Sequence, residues 1–336
     1  MIRRLFSALL IAGLVVALLL AGWPQALGAQ YLPGVAQLVS LRGIAVLAAL
    51  AVALLLGLAS LVIRRFRPLG MALVTLLLVF SVASTAVLAS RGFGGDEGAP
   101  SPDALVVLSW NTYGDSPGAR AVADLAEAQD ADVITLPETS EVEAQEVAAL
   151  LATAGRPMAV LNTSFDLYAK TKSTSLLIST GLGEYVIDDS VGNTSNLPIV
   201  VAVPADGTGP TIVSAHPTAP VPDLLTDWQA DLRYLAALCA GGDMIMAGDF
   251  NSTVDHYAGL GVGEADLGHC TDGASAAGAG GVGTWPTSLP PLLGTPIDHV
   301  FTTSTWRTVS FAVIESEDDA GSDHRPVVAH LEAVDG

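Results

Sequence analysis

The hydrophobic pattern divides the chain in two. Three uncharged apolar runs fill its first part, Leu5–Ala21, Gly43–Ile63 and Leu69–Ser90. A helix that crosses a bilayer needs about 20 apolar residues, within a range of about 17–25. Each run therefore predicts a membrane-spanning helix, and residues 1–90 form a membrane anchor. Beyond them, short apolar stretches alternate with amphipathic ones. Strands are predicted at Ala104–Trp110, Asp132–Leu136, Ser175–Ser179, Ile199–Val203 and Thr211–Ala215, then at Asp243–Ala247, Ile297–Thr302, Val309–Ile314 and Pro326–Leu331. Helices are predicted at Pro117–Gln129, with proline near the first turn, and at Glu141–Ala154. A third is predicted at Asp223–Cys239, where Leu224, Leu225, Trp228, Leu232, Leu235 and Leu238 recur at helical spacing.

Residues 91–103, RGFGGDEGAPSPD, are rich in glycine, proline and acid and read as a linker leaving the membrane. Residues 104–336 then make one domain, and roughly 230 residues suffice for a single large core. Residues 262–296 are Gly-, Ala- and Pro-rich and too long for an ordinary connection, so they are either mobile or a functional rim loop. No internal repeat is apparent.

Charge sharpens the division. The chain has 336 residues with 14 Lys and Arg against 34 Asp and Glu. Six of the basic residues, all arginines, and none of the acids precede residue 91, which leaves eight against 34, a net −26, for the remainder. Arg3 and Arg4 flank the first run, and Arg64, Arg65 and Arg67 separate the second from the third, whereas Trp23–Ser40 carries no charge. By the positive-inside rule the N-terminus and the second loop are cytoplasmic. Three crossings then place everything after Ser90 outside the cell membrane as an extracytoplasmic domain. Arg42, at the outer end of the second run, opposes this weakly. A cleaved signal peptide is the alternative for the first run, although the later runs already anchor the chain. Cys239 and Cys270 are the only cysteines. An oxidising compartment permits a disulfide between them; otherwise they are two small buried hydrophobes.

Polar residues gather at the strand margins. In MAGDFNST, residues 246–253, Asp249 and Asn251 stand two positions apart after an apolar strand, a spacing that puts both on one face of a strand. Gly, Asp and Asn, all present in this stretch, also suit a turn. SWN places Asn111 at the end of the first strand, LPE places Glu138 just after the second, and SAH places His216 at the end of another. IDH puts Asp298 at a strand start, and GSDHRP puts Asp323 and His324 just before the last strand. Singly these are turn residues, helix-leading acids and surface pairs. Together they suggest a site at one sheet edge.

The ordered set, and above all GDFN with a terminal SDHRP, resembles the endonuclease/exonuclease/phosphatase superfamily. That superfamily includes deoxyribonuclease-like nucleases, sphingomyelinases and inositol-polyphosphate phosphatases, and the chain would be a membrane-anchored bacterial member. The resemblance covers Ala104 to Leu331. It implies an α/β fold, a four-layered sandwich of two β-sheets flanked by helices, here preceded by three transmembrane helices. It implies a divalent cation, Mg²⁺ or Mn²⁺, held by Glu138 with Asn111 and Asp323, since hard cations take oxygen ligands. Asp249 would orient or deprotonate the attacking water, and Asn251 would hold the phosphate or the water. His324 would act on the phosphoryl group, held in tautomer by Asp298, and His216 would donate to a phosphate oxygen. Pro137 and Pro217 depart from the residues usual beside Glu138 and His216.

The resemblance fixes the bond, a phosphoester, and not the molecule. Proteins that grip DNA present Lys and Arg to its phosphates. The acidic balance therefore ranks a small phosphoester or a phospholipid head group first and nucleic acid second. An idle binding module on a membrane anchor is the rival from another class, disfavoured because Glu138, Asp249, Asp298 and His324 are all present. His216, His256, His269 and Cys270 match no tight zinc-ligand spacing. Asp255 and His256 read as surface polar residues.

Overall fold

The computed structural model describes residues 1–96, 100–166 and 168–334. Part of the expected linker, residues 97–99, lies outside the described residues, as do residue 167 and the last two of the chain. At the N-terminus α1 (Ile2–Gly22) leads through a hairpin containing α2 (Val35–Ser40) into α3 (Arg42–Val62) and α4 (Arg67–Arg91). The helices α1, α3 and α4 are long and apolar enough to cross a membrane. They meet along a narrow seam of Ala21, Ala49, Ala53, Leu77 and Phe80. Leu9, Leu54, Leu58 and Val82 stay exposed, which suits helices bathed in lipid rather than water.

After α4 come β1 (Gly95–Asp96), β2 (Leu105–Ser109), α5 (Gly118–Ala128), β3 (Val133–Pro137), α6 (Glu141–Thr153), β4 (Met158–Ser164) and β5 (Ser173–Ser179). The second half holds β6 (Tyr185–Ile187), β7 (Val200–Pro204), β8 (Thr211–Ala215), α7 (Leu225–Leu238) and β9 (Met244–Asp249). It ends with β10 (Thr271–Asp272), α8 (Gly273–Ala276), β11 (Asp298–Thr302), β12 (Trp306–Val313) and β13 (Val327–Ala333). Among the described residues these strands form two sheets, one of seven strands ordered β1-β12-β13-β2-β3-β5-β4 and one of six ordered β10-β11-β9-β8-β7-β6. Strands β4 and β6 escape the sequence pattern. Every residue of β4 is only half-buried, so its apolar signal is diluted, and β6 is three residues long.

The sheets stack face to face. Side chains alternate across each strand, so Val107 of β2 enters the core between the sheets with Val133, Ile212, Ile245 and Val300. Its neighbours Val106 and Leu108 face the other way, against α5 and α6 with Ile134 and Leu136. On the outer face of the second sheet Val213, Met246 and Phe301 pack on Trp228, Leu232 and Leu235 of α7. Both faces of the central strands are thus covered, which is why they read as continuous apolar runs. The result is the four-layered α/β sandwich the resemblance implied, with three long apolar helices ahead of it.

Residues 262–296 are docked as a rim. Backbone amides of Gly280 and Gly281 donate to the carbonyls of Arg91 and Gly92, both at 2.9 Å, and Gly94 N donates to Gly278 O at 3.1 Å. Cys239, at the end of α7, is disulfide-bonded to Cys270 with a Cα–Cα distance of 5.9 Å. That bond removes the thiol from the zinc set considered above.

Asp255 and His256 are buried, not surface residues. The Asp255 carboxylate is 4 % exposed and holds Arg42 at 2.6 Å and Arg91 at 2.8 Å, so one buried carboxylate is shared by two guanidinium groups. His256 Nδ1 accepts from Thr253 N at 2.9 Å, and Nε2 lies 3.2 Å from the Ala36 carbonyl.

Candidate active site

The topology delivers the polar strand margins to one edge. The pairs β2–β3 and β8–β9 are parallel, so Asn111, Glu138, His216 and Asp249 all leave C-terminal strand ends. β11 runs antiparallel to β9 with Asp298 opposite Asp249. β13 runs antiparallel to β2 with Val327 opposite Ser109, which returns Asp323 and His324 to the same edge. Glu138, His216, Asp249, Asn251, Asp323 and His324 line one pocket of about 450 Å³. Asn111 and Asp298 stand directly behind it, so all eight expected residues converge.

Hydrogen bonds fix the constellation. Asn111 Nδ2 donates to Glu138 Oε1 at 3.1 Å and to Asp249 Oδ2 at 3.0 Å, tying the two sheets together across the site. The two Asp298 oxygens lie 2.9 and 3.2 Å from His324 Nδ1, so that nitrogen carries the proton and Nε2 faces the pocket, 3.7 Å from Asp249 Oδ2. His324 is itself held from behind, because Trp110 Nε1 donates to its carbonyl at 3.0 Å. His216 Nε2 lies 3.7 Å from Glu138 Oε1.

The pair Asp249 and Asn251 meets in the pocket by a different route from the one strand geometry suggests. β9 ends at Asp249, and Asn251 has left the strand with φ of +47°, a left-handed conformation that Asn tolerates. Its backbone N–H donates to Asp249 Oδ1 at 2.8 Å, and its Nδ2 donates to Pro217 O at 3.0 Å. The stretch is both a turn and a site. Gly248 just before it brings β9 against β8 so closely that a Cβ there would collide with the Ala215 carbonyl.

The family model described as Endonuclease/Exonuclease/phosphatase family matches residues 108–324, more than half of the chain and all eight of the expected residues. The chain belongs to the endonuclease/exonuclease/phosphatase family. Solved structures agree on the fold. A humanised D. rerio TDP2 is 19% identical with a TM-score of 0.53, covering 68% of this chain and 99% of that one. An endonuclease/exonuclease/phosphatase from Beutenbergia cavernae is 20% identical with a TM-score of 0.52, covering 68% and 72%. The 3′ phosphatase NExo from Neisseria is 15% identical with a TM-score of 0.51, covering 68% and 99%. No curated protein sequence matches the chain.

The electrostatics suit a member of this phosphoesterase and nuclease family. Burial pulls His216 down to about 3, with His324 adding to the effect, so His216 is a neutral imidazole at physiological pH. Burial also lowers His324, but the Asp298, Asp249 and Asp323 carboxylates outweigh it and raise that imidazole well above its ordinary value. Burial raises Asp249 and Glu138, against the opposing hydrogen bonds from Asn111. The site therefore holds more negative charge than its own donors satisfy. Asp323 Oδ2 accepts from Trp285 Nε1 at 2.8 Å, while its Oδ1 is buried with no partner. An orphaned carboxylate oxygen beside a desolvated Glu138 fits a hard divalent cation. Asp249, Asp298 and His324 also bring ligand atoms within 4.8 Å of one another, but there Asp298 and His324 Nδ1 are engaged with each other.

Several pocket residues were not anticipated. Trp285 comes from the glycine-rich rim, where a lone tryptophan amid small residues was the available signal. Tyr113 stands two positions after Asn111. Gln37, Ser40 and Leu41 come from the anchor, and nothing in their sequence marks them.

Proposed function

We propose that the chain is a divalent-metal-dependent phosphoester hydrolase acting outside the cytoplasmic membrane on a small phosphoester or a lipid head group. The observation that carries this is the convergence of Glu138, His216, Asp249, Asn251 and the Asp298–His324 pair on one pocket. Glu138 and Asp323, with Asn111 placing the Glu138 carboxylate, would hold Mg²⁺ or Mn²⁺. The ion supplies charge neutralisation at the phosphate and at the charge that develops on it in the transition state. Asp249 orients the attacking water and takes its proton, and the Asn251 side chain holds that water or a phosphate oxygen. Neutral His216 donates from a ring nitrogen to a non-bridging oxygen. His324, which the surrounding carboxylates keep charged, holds one proton on Nδ1 against Asp298 and donates from Nε2–H to the phosphoryl group.

Charge favours small or lipid substrates over nucleic acid. The D. rerio and Neisseria proteins hold DNA products in their structures, but the likeness to them extends to the fold. Of the eight basic residues from Arg91 onward, only Lys172 and Arg233 lack an acidic partner among the described residues. No lysine or arginine lines the pocket. A backbone-gripping nuclease needs such groups.

The test is hydrolysis by the purified full chain, with Mg²⁺, Mn²⁺ or EDTA, of a panel of phosphomonoesters, phosphodiesters, phospholipids and duplex DNA. Metal-dependent turnover of one of the first three classes is expected. No turnover of any class with either metal would overturn the reading, and efficient cleavage of duplex DNA at physiological salt would overturn the substrate ranking.

A further inference from the structure

The hairpin between the first two long apolar helices does more than connect them. Gln37, Ser40 and Leu41 line the same pocket as Glu138, Asp249 and His324. Leu41 directly precedes Arg42, the first residue of α3. The hairpin is fastened to the active-site edge at several points. Gln25 Nε2 donates to Asp255 Oδ1 at 2.7 Å and Tyr31 Oη donates to the His256 carbonyl at 2.5 Å. Gln37 Nε2 donates to Pro220 O, and Thr295 Oγ1 donates to Ser40 O. The buried Arg42–Asp255 pair locks the start of α3 to the turn that follows GDFN. Gly43, one residue on, lies so close to the rim loop that a Cβ would collide with the Leu292 carbonyl. The pocket is thus sited where the apolar helices end, with no spacer.

Two properties of this wall point to its ligand. Of its three pocket residues Leu41 is apolar, and it extends an apolar stretch of the lining formed by Leu197, Val221 and Ile297 of the domain. The two polar side chains it offers are already engaged, because the Gln37 amide donates to Pro220 O and accepts from Gly34 N, and Ser40 Oγ donates to Ala36 O at 2.9 Å. Its outer side exposes Trp23, Leu27, Leu32 and Leu38 and carries no charge. Exposed apolar and aromatic residues next to the end of a spanning helix belong in the bilayer interface. One short segment therefore borders the membrane on one side and the phosphate site on the other.

We propose that the Trp23–Leu41 hairpin is a substrate-selecting wall of the active site, and that the pocket takes an amphiphilic phosphoester from the outer bilayer surface, its phosphate among Glu138, His216 and His324 and its apolar part along Leu41. This rests on the phosphoester-hydrolase reading above and adds the substrate class to it. A hairpin that merely orients the domain would make the same docking contacts but would not distinguish a long-chain ester from a short one.

The experiment uses the full chain in mixed detergent micelles with Mg²⁺ or Mn²⁺. The probes are ethyl and hexadecyl 4-nitrophenyl phosphate, which share one scissile bond, and the corresponding monoalkyl phosphates. Wild type is expected to favour the hexadecyl over the ethyl compound in kcat/KM by roughly tenfold or more, as apolar contacts of this size discriminate. Leu41→Asp is expected to lower that ratio by about as much, with Leu41→Ala giving a smaller fall should the charged variant not fold. Thermal unfolding of each variant checks that the hairpin stays docked. A wild-type ratio near one, or a folded Leu41 variant with an undiminished ratio, overturns the proposal. If the ethyl ester is cleaved by wild type but not by His324→Ala, the hydrolase reading survives that loss. If no probe is cleaved, both readings fall.

Discussion

His324 faces three carboxylates, and its function depends on the charge they keep on it and on which nitrogen Asp298 engages. Asp298, buried in β11, accepts from Nδ1 through both oxygens. An amide in its place can present its NH₂ to the ring and stabilise the opposite tautomer, with the proton on the nitrogen that faces the pocket. Asp298→Asn is expected to cost about 10³–10⁴-fold in kcat at unchanged unfolding temperature, as such tautomer errors do elsewhere, and His324→Ala at least as much. Steady-state rates on the best substrate of the panel measure both, and near-wild-type turnover of either variant would remove His324 from the mechanism. Glu138 offers a second check that does not depend on turnover. Burial raises its carboxyl, so the ionised group destabilises the metal-free fold above its ordinary range and a bound cation relieves this. Glu138→Gln is expected to raise the unfolding temperature in EDTA and to abolish the further rise that Mg²⁺ or Mn²⁺ gives the wild type. A variant still stabilised by the metal as strongly as wild type would place the cation elsewhere.

At the scale of elements, the junction between anchor and domain is organised by Asp255. Burial alone would raise its carboxyl, but the hydrogen bonds and charges of Arg42 and Arg91 outweigh this and hold it well below the ordinary value. A depressed carboxylate stabilises the fold fully above its unfolded value of about 4 and loses that contribution as pH falls. Asp255→Asn strands two largely buried guanidinium groups and is expected to cost about 3 kcal/mol or more. That corresponds to a drop of roughly 6–12 °C in unfolding temperature. The deficit should shrink as pH is lowered below about 4, and calorimetry from pH 7 downward checks it. A variant as stable as wild type at neutral pH would show that the lock contributes nothing. This lock was illegible in the sequence, because Asp255 and Arg42 are 213 positions apart and a lone acid after a turn resembles any surface acid. The central strands were legible for the opposite reason, since β2, β3 and β9 are buried on both faces and carry their own signal. The candidate set was legible because each member sits at the margin of such a strand. Trp285, Gln37 and Leu41 were not, because rim and hairpin residues reach the site through tertiary docking, which leaves no periodicity behind.

For the whole molecule, the lock also bears on how the chain sits in a membrane. Arg3 and Arg65 meet at one end of the helix bundle, where the guanidinium of Arg3 donates to the Arg65 carbonyl at 2.7 Å. The α/β domain docks on the opposite ends, at the start of α3 and the finish of α4. The positive-inside rule weighs positive charge in short loops, and Arg42 and Arg91 would count against an external domain if they were free. They are not free. Both are paired with Asp255, whose single carboxylate offsets one of the two charges, and Arg42 is only 4 % exposed and Arg91 14 %. The one charge left there is outweighed by the cluster of Arg3, Arg4, Arg64, Arg65 and Arg67, all at the end away from the domain. The domain adds a net −26, from eight basic and 34 acidic residues, and the Cys239–Cys270 disulfide suits an oxidising exterior. The expected orientation therefore puts the N-terminus in the cytoplasm and the catalytic domain outside. Protease added to intact cells, after removal of any outer wall, should digest the domain while a cytoplasmic marker survives. Protection of the domain until lysis would reverse the orientation, and would also turn the hairpin wall of the pocket toward the inner leaflet.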